Sequence, residues 1–68
     1  MVLATRIRKI RESHNLTQAE VADRCNITAS TYGQIERMAA TTKFETLLKI
    51  ANAIGVSISF LVDIDNDL

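Results

Sequence analysis

No proline breaks this chain, only Gly33 and Gly55 loosen it, and alternation of apolar and polar residues is never sustained. Strands are thereby disfavoured, and the natural reading is a row of short helices joined by tight turns. From Leu3 to His14, apolar Leu3, Ile7 and Ile10 recur at helical spacing, with arginine and lysine on the other faces. Asn15-Leu16 breaks that run. Thr17, followed three residues later by Glu20, has the reciprocal capping pattern that opens a second helix, with Val21, Ala22 and Cys25 on its inner side. Asn26 is placed to end it, because asparagine tolerates the left-handed backbone best after glycine.

Thr28 is the expected cap of a third helix running through Ala29 to Glu36. Tyr32 and Ile35 should face the core, leaving Ala29, Ser30, Gly33, Gln34 and Arg37 outside as a small polar face. Met38 to Thr42 reads as a loop. Thr42 and Glu45 repeat the capping pattern, and a fourth helix should carry Leu47, Leu48, Ala51 and Ile54 on its apolar stripe before Gly55 closes it. Ser57 is the expected cap of a last short helix containing Ile58, Phe60, Leu61 and Val62. The division that follows is a domain at 1–62 and a short, frayed acidic tail at 63–68.

A chain of 68 residues has room for one small core, burying roughly 60% of the surface exposed on unfolding. Hydrophobic residues at 47% and charged ones at 24% fit a folded domain and exclude a disordered tail. One cysteine, Cys25, forms no internal disulfide, and with one histidine, His14, no metal cage is expected. The early charges Arg6, Arg8, Lys9 and Arg11 do not fit a signal peptide, and no run approaches the ~20 apolar residues that cross a bilayer. A cytoplasmic location is the expectation. Net charge is zero, but unevenly spread. Residues 1–37 carry six basic side chains against four acidic ones, 38–62 carry Lys43 and Lys49 against Glu45, and Asp63, Asp65 and Asp67 cancel the excess.

Three stretches, taken together, carry a resemblance: Leu16-Thr17-Gln18-Ala19-Glu20-Val21-Ala22 with Cys25-Asn26-Ile27-Thr28, Tyr32 with Ile35-Glu36, and Thr46 through Ser57. In order and spacing they resemble the Cro/C1-repressor-type (XRE-like) helix-turn-helix family over roughly Leu3 to Leu61. That resemblance implies an all-α, compact, five-helix, lambda-repressor-like DNA-binding domain with the helix-turn-helix at helices two and three. It implies double-stranded DNA as partner and no cofactor.

Carried over by position, the resemblance makes helix three the recognition helix, with Ala29, Ser30 and Gln34 meeting base edges. Gln18, Thr28, Thr31, Arg37, Thr42 and Lys43 become the expected phosphate contacts, with Gln18 also bracing helix three. It further implies a partly buried ion pair between Arg11 and Glu36. Departures from the family pattern are Asn26 in place of a turn glycine, Met38 in place of a glycine after helix three, and Gly33 inside the recognition helix. Gly33 should cost about 1 kcal/mol relative to alanine while letting the helix approach the groove floor.

One small module makes few contacts, so a homodimer on two half-sites of a palindromic operator is expected. Ile58, Phe60, Val62 and Ile64 offer the apolar seam. The functional reading is a sequence-specific transcriptional regulator, a repressor or small controller protein. The alternative use of such a fold is protein interaction, as in an antitoxin binding a toxin or a regulator docking on polymerase. No phosphate loop, metal-protease pattern or enclosing pocket points to an enzyme.

Overall fold

The computed structural model describes residues 2–65, and among these the chain forms five α-helices and a 3₁₀ turn. They are α1 (Leu3–Ser13), α2 (Gln18–Arg24), α3 (Ala29–Arg37), the 3₁₀ turn Ala39–Thr41, α4 (Phe44–Ile54) and α5 (Ile58–Leu61). The helices wrap one core in a body of 30 × 25 × 17 Å. α2 packs on α3, α1 crosses α3 and reaches α5, and α4 lies against α2 and α5.

Starts and stops are set locally. Thr17 accepts from the amide of Glu20 while the Glu20 carboxylate accepts from the amide of Thr17, completing the reciprocal cap of α2. Thr28 accepts from Thr31 N at the head of α3, and Ser57 from Phe60 N at the head of α5. Such caps each contribute about 1 kcal/mol.

Three helices end in one way. Asn15, Asn26 and Gly55 have φ of 57°, 59° and 97°, all left-handed. The next amides, of Leu16, Ile27 and Val56, return to the carbonyls of Arg11, Ala22 and Ala51. This is a Schellman ending, and it turns each following apolar residue back onto the core.

The core is built from Ile7 and Ile10 of α1, Val21 and Ala22 of α2, Tyr32 of α3, Ala39, then Leu47, Ile50, Ala51 and Ile54 of α4, and Leu61 of α5. Leu3, Cys25, Ile35, Ile58 and Val62 pack around it, partly covered. Burying a side chain of this size contributes about 1.5–3 kcal/mol, and with few such residues each matters.

The structure departs from four of the sequence-based expectations. Leu48 is 39% exposed, and Ile50 takes its place on the stripe, because the inward positions follow Leu47 by three, four and seven residues. Thr42 does not cap α4: it ends the 3₁₀ turn, its hydroxyl bonds the carbonyl of Met38 at 3.1 Å, and the cap position falls to Lys43, whose side chain makes no capping bond. Gly33 is buried rather than outward. Arg6, counted with the surface charges, is fully buried. Its Nε and Nη2 donate to the carbonyl of Phe60 at 3.0 and 2.6 Å, and its guanidinium lies 4.8 Å from the centroid of the Phe60 ring. Arg6 therefore fastens α1 to α5, which removes a buried cation's unmet donors. Residues 66–68 of the expected tail lie outside the described residues; Asp63 to Asp65 are exposed.

Candidate nucleic-acid interface

α3 has two faces. Tyr32 is fully buried and Ile35 half-buried, while Ala29, Ser30, Thr31, Gln34 and Arg37 are exposed. No side-chain hydrogen bond within the described residues occupies Ser30 or Gln34. Their donors and acceptors are open to whatever approaches the helix.

What holds α3 in that rotation is the buried carboxylate of Glu36. Arg11 Nε donates to Oε2 at 2.9 Å and Arg11 Nη2 to Oε1 at 3.1 Å, a two-pronged ion pair. Tyr32 Oη donates to Oε2 at 2.6 Å, and Gln18 Nε2 to Oε1 at 3.3 Å. Arg11 also donates from Nη1 to the carbonyl of Leu16 at 2.9 Å, so one guanidinium ties the ends of α1 and α3 to the start of α2. Burial pushes the Glu36 carboxyl up, but hydrogen bonds from Arg11 and Tyr32, the charge of Arg11 and the bond from Gln18 outweigh it and hold its pKa below the ordinary range. Burial and then the bond to Glu36 push the Tyr32 hydroxyl far up, so it remains a donor. The bond to Glu36 raises the already high pKa of Arg11.

Gln18 and Gly33 fit together. A Cβ built on Gly33 would lie 3.4 Å from Gln18 Oε1 and 3.4 Å from Arg37 Nη1. Two side chains of the protein itself thus lie across α3 at Gly33, at the distance of ordinary contact with a methyl there.

The remaining expected contact residues ring the same side. Thr28 spends its hydroxyl proton on Thr31 Oγ1 at 2.9 Å, which leaves the Thr31 proton free. Thr42 is half-buried with its proton on Met38, and Lys43 is exposed at the head of α4. Beside Ala29, a concavity of about 660 Å³ runs between the end of α1 and the start of α2, lined by Asn15, Thr17, Gln18 and Ala19. Its cap is already partly used: hydrogen bonds from the Thr17 backbone, then its side chain, hold the exposed Glu20 carboxyl below the ordinary range.

Sequence reasoning missed Phe44, which is 62% exposed beside Lys43, and Arg8, which lines a cleft with Gln18 and Arg37. On α5 and just after it, Phe60 is 38% and Ile64 43% exposed, while Ile58 and Val62 are half-buried against the core. Burial pushes the half-buried Cys25 thiol up, and its Sγ lies 3.9 Å from the carbonyl of Lys49.

This arrangement defines the class: an all-α domain in which a short capped helix, a left-handed turn at Asn26 and a second helix with one open polar face form a helix-turn-helix. The sequence profile of the family described as Helix-turn-helix matches residues 7–61, and the chain belongs to that family, in its Cro/C1-repressor-type (XRE-like) branch of DNA-binding transcription regulators. It is 34% identical over 62 residues to the immunity repressor protein of Bacillus phage phi105, covering 91% of this chain and 43% of that protein. It is 39% identical over 57 residues to the SPbeta prophage-derived uncharacterized HTH-type transcriptional regulator YonR of Bacillus subtilis strain 168, covering 84% of this chain and 53% of that protein. The uncharacterized HTH-type transcriptional regulator YobD of the same strain is 27% identical over 62 residues, covering 91% of this chain and 55% of that protein. The chain therefore spans about half the length of the curated relatives it matches. No solved structure matches.

Proposed function

We propose that the chain binds a palindromic operator in double-stranded DNA as a homodimer and acts in the cytoplasm as a repressor or small controller of transcription. The observation that carries this reading is the split of α3: Tyr32 and Glu36 are locked inward while Ser30 and Gln34 stand exposed without side-chain partners. The relative named as an immunity repressor supports the repressor role.

In the major groove, Gln34 pairs with adenine through its amide, Ser30 donates or accepts at a neighbouring base, and the Ala29 methyl packs on a thymine methyl. Gln18, Thr28, Thr31, Arg37, Thr42 and Lys43 hold phosphates and fix the register. Among the threonines, Thr31 has the free proton, while Thr28 and Thr42 must first release Thr31 and Met38. Ile58, Phe60, Val62 and Ile64 form the seam between subunits, with Phe60 and Ile64 offering the exposed apolar area.

Selection from randomised duplex DNA tests the reading. The expected product is an inverted repeat with half-site centres about 10–10.5 base pairs apart, or a multiple of that. Recovery of no enriched sequence would overturn operator binding, and a single asymmetric site would overturn the symmetric dimer.

A further inference from the structure

We propose that Arg8 of α1 joins Arg37 of α3 and the Gln18 amide in a single clamp that grips one DNA phosphate; this rests on the operator-binding reading above. The three side chains converge on a cleft of about 260 Å³, which Ala4, Thr5 and Glu36 complete. Arg8 was not among the residues expected to touch DNA, because its position in the sequence places it only on the outer side of α1.

The cleft contains a carboxylate, yet that charge is already spent. Glu36 is 3% exposed, and its two oxygens receive bonds from Arg11, Tyr32 and Gln18. It anchors the Gln18 amide without competing for an anion. Arg8 and Arg37, by contrast, are exposed and make no ion pair among the described residues. An anion in that cleft therefore meets two guanidiniums that have no other counter-ion among the described residues.

The geometry of α3 favours the same conclusion. Arg37 Nη1 and Gln18 Oε1 reach one point over Gly33, each 3.4 Å from where a Cβ would be. A side chain longer than methyl at that position would part them. The Gln18 amide has one proton on Glu36 and a second to give, and each guanidinium offers a planar fork. A phosphodiester, with two non-bridging oxygens and one negative charge, matches that donor set.

The test uses the selected operator with one phosphate at a time replaced by a neutral methylphosphonate, bound by the wild type, Arg8→Ala (R8A) and Arg37→Ala (R37A). Both arginines are exposed, so both variants should fold, as circular dichroism checks. The wild type should weaken at one particular phosphate in each half-site, and each variant should weaken less than wild type at that same phosphate. Each variant should also lower the log-log salt slope by up to about 1 per half-site, which for two half-sites is up to about tenfold less weakening than wild type over a fourfold rise in salt. A profile for R8A identical to wild type, or reduced weakening of R8A and R37A at different phosphates, overturns the clamp and leaves operator binding standing. Failure of the wild type to bind any duplex overturns both.

Discussion

Glu36 is the side chain on which the orientation of α3 most depends, since its carboxylate gathers Arg11, Tyr32 and Gln18 from three helices. Removing its charge leaves Arg11 buried without a counter-ion. Glu36→Gln (E36Q) should therefore cost about 3–5 kcal/mol in urea unfolding, and a loss below about 1 kcal/mol would show that the pair is dispensable. The same group sets an acid limit. Its folded pKa lies below the ordinary 4.5, so the unfolded chain binds the proton more readily. The stability it supplies is present above about pH 4.5 and is lost as pH falls through the lower folded value. Urea midpoints that stay flat from pH 5 to pH 3 would contradict this. Lys43, exposed at the head of α4, has a different part. Lys43→Ala (K43A) should weaken binding to all duplexes alike and lower the log-log salt slope by about 1 per half-site, whereas an unchanged slope would remove it from the phosphate contacts.

At the scale of elements, the endings of α1, α2 and α4 share one device that uses Asn15, Asn26 and Gly55. Asparagine tolerates left-handed backbone, and glycine accepts it without strain, so the two types respond oppositely to exchange. Asn26→Gly (N26G) should leave thermal stability unchanged or raise it by up to about 1 kcal/mol, while Gly55→Ala (G55A) should lower it by about 1 kcal/mol. A stabilising G55A would mean that the turn can relax. Most of these boundaries were legible, because Thr17, Thr28, Ser57, Asn26 and Gly55 are residue types with few other local uses. Thr42 was misread for a reason of the same kind: the Thr-x-x-Glu pattern is blind to a 3₁₀ turn that claims the threonine first. The phase of α4 was read one position off at Leu48, because Leu47-Leu48 are both apolar and only packing decides which points inward.

On the scale of the whole molecule, what the sequence hid are contacts between distant residues. Arg6 looks like a surface charge until its partner is known, and that partner is a backbone carbonyl 54 residues away. Gly33 looks like an exposed position until Gln18 and Arg37 are seen lying over it. The Arg11–Glu36 pair was expected through family resemblance alone, since spacing of 25 residues carries no local signal. Dimerisation also belongs to this scale. Phe60 is tied to Arg6, so it mixes the fold with the proposed seam, whereas Ile64 is 43% exposed and separates them. Ile64→Glu (I64E) should sediment as a folded monomer with an unchanged melting temperature; a persistent dimer would place the seam elsewhere. Base reading depends on the open face of α3. Binding of the wild type and Gln34→Ala (Q34A) should be compared across every single-base variant of the selected operator. The variant should lose about 1–3 kcal/mol per half-site on the best sequence and lose discrimination at one base pair in each. An equal loss on every sequence, with all preferences intact, would contradict the claim that this face reads bases.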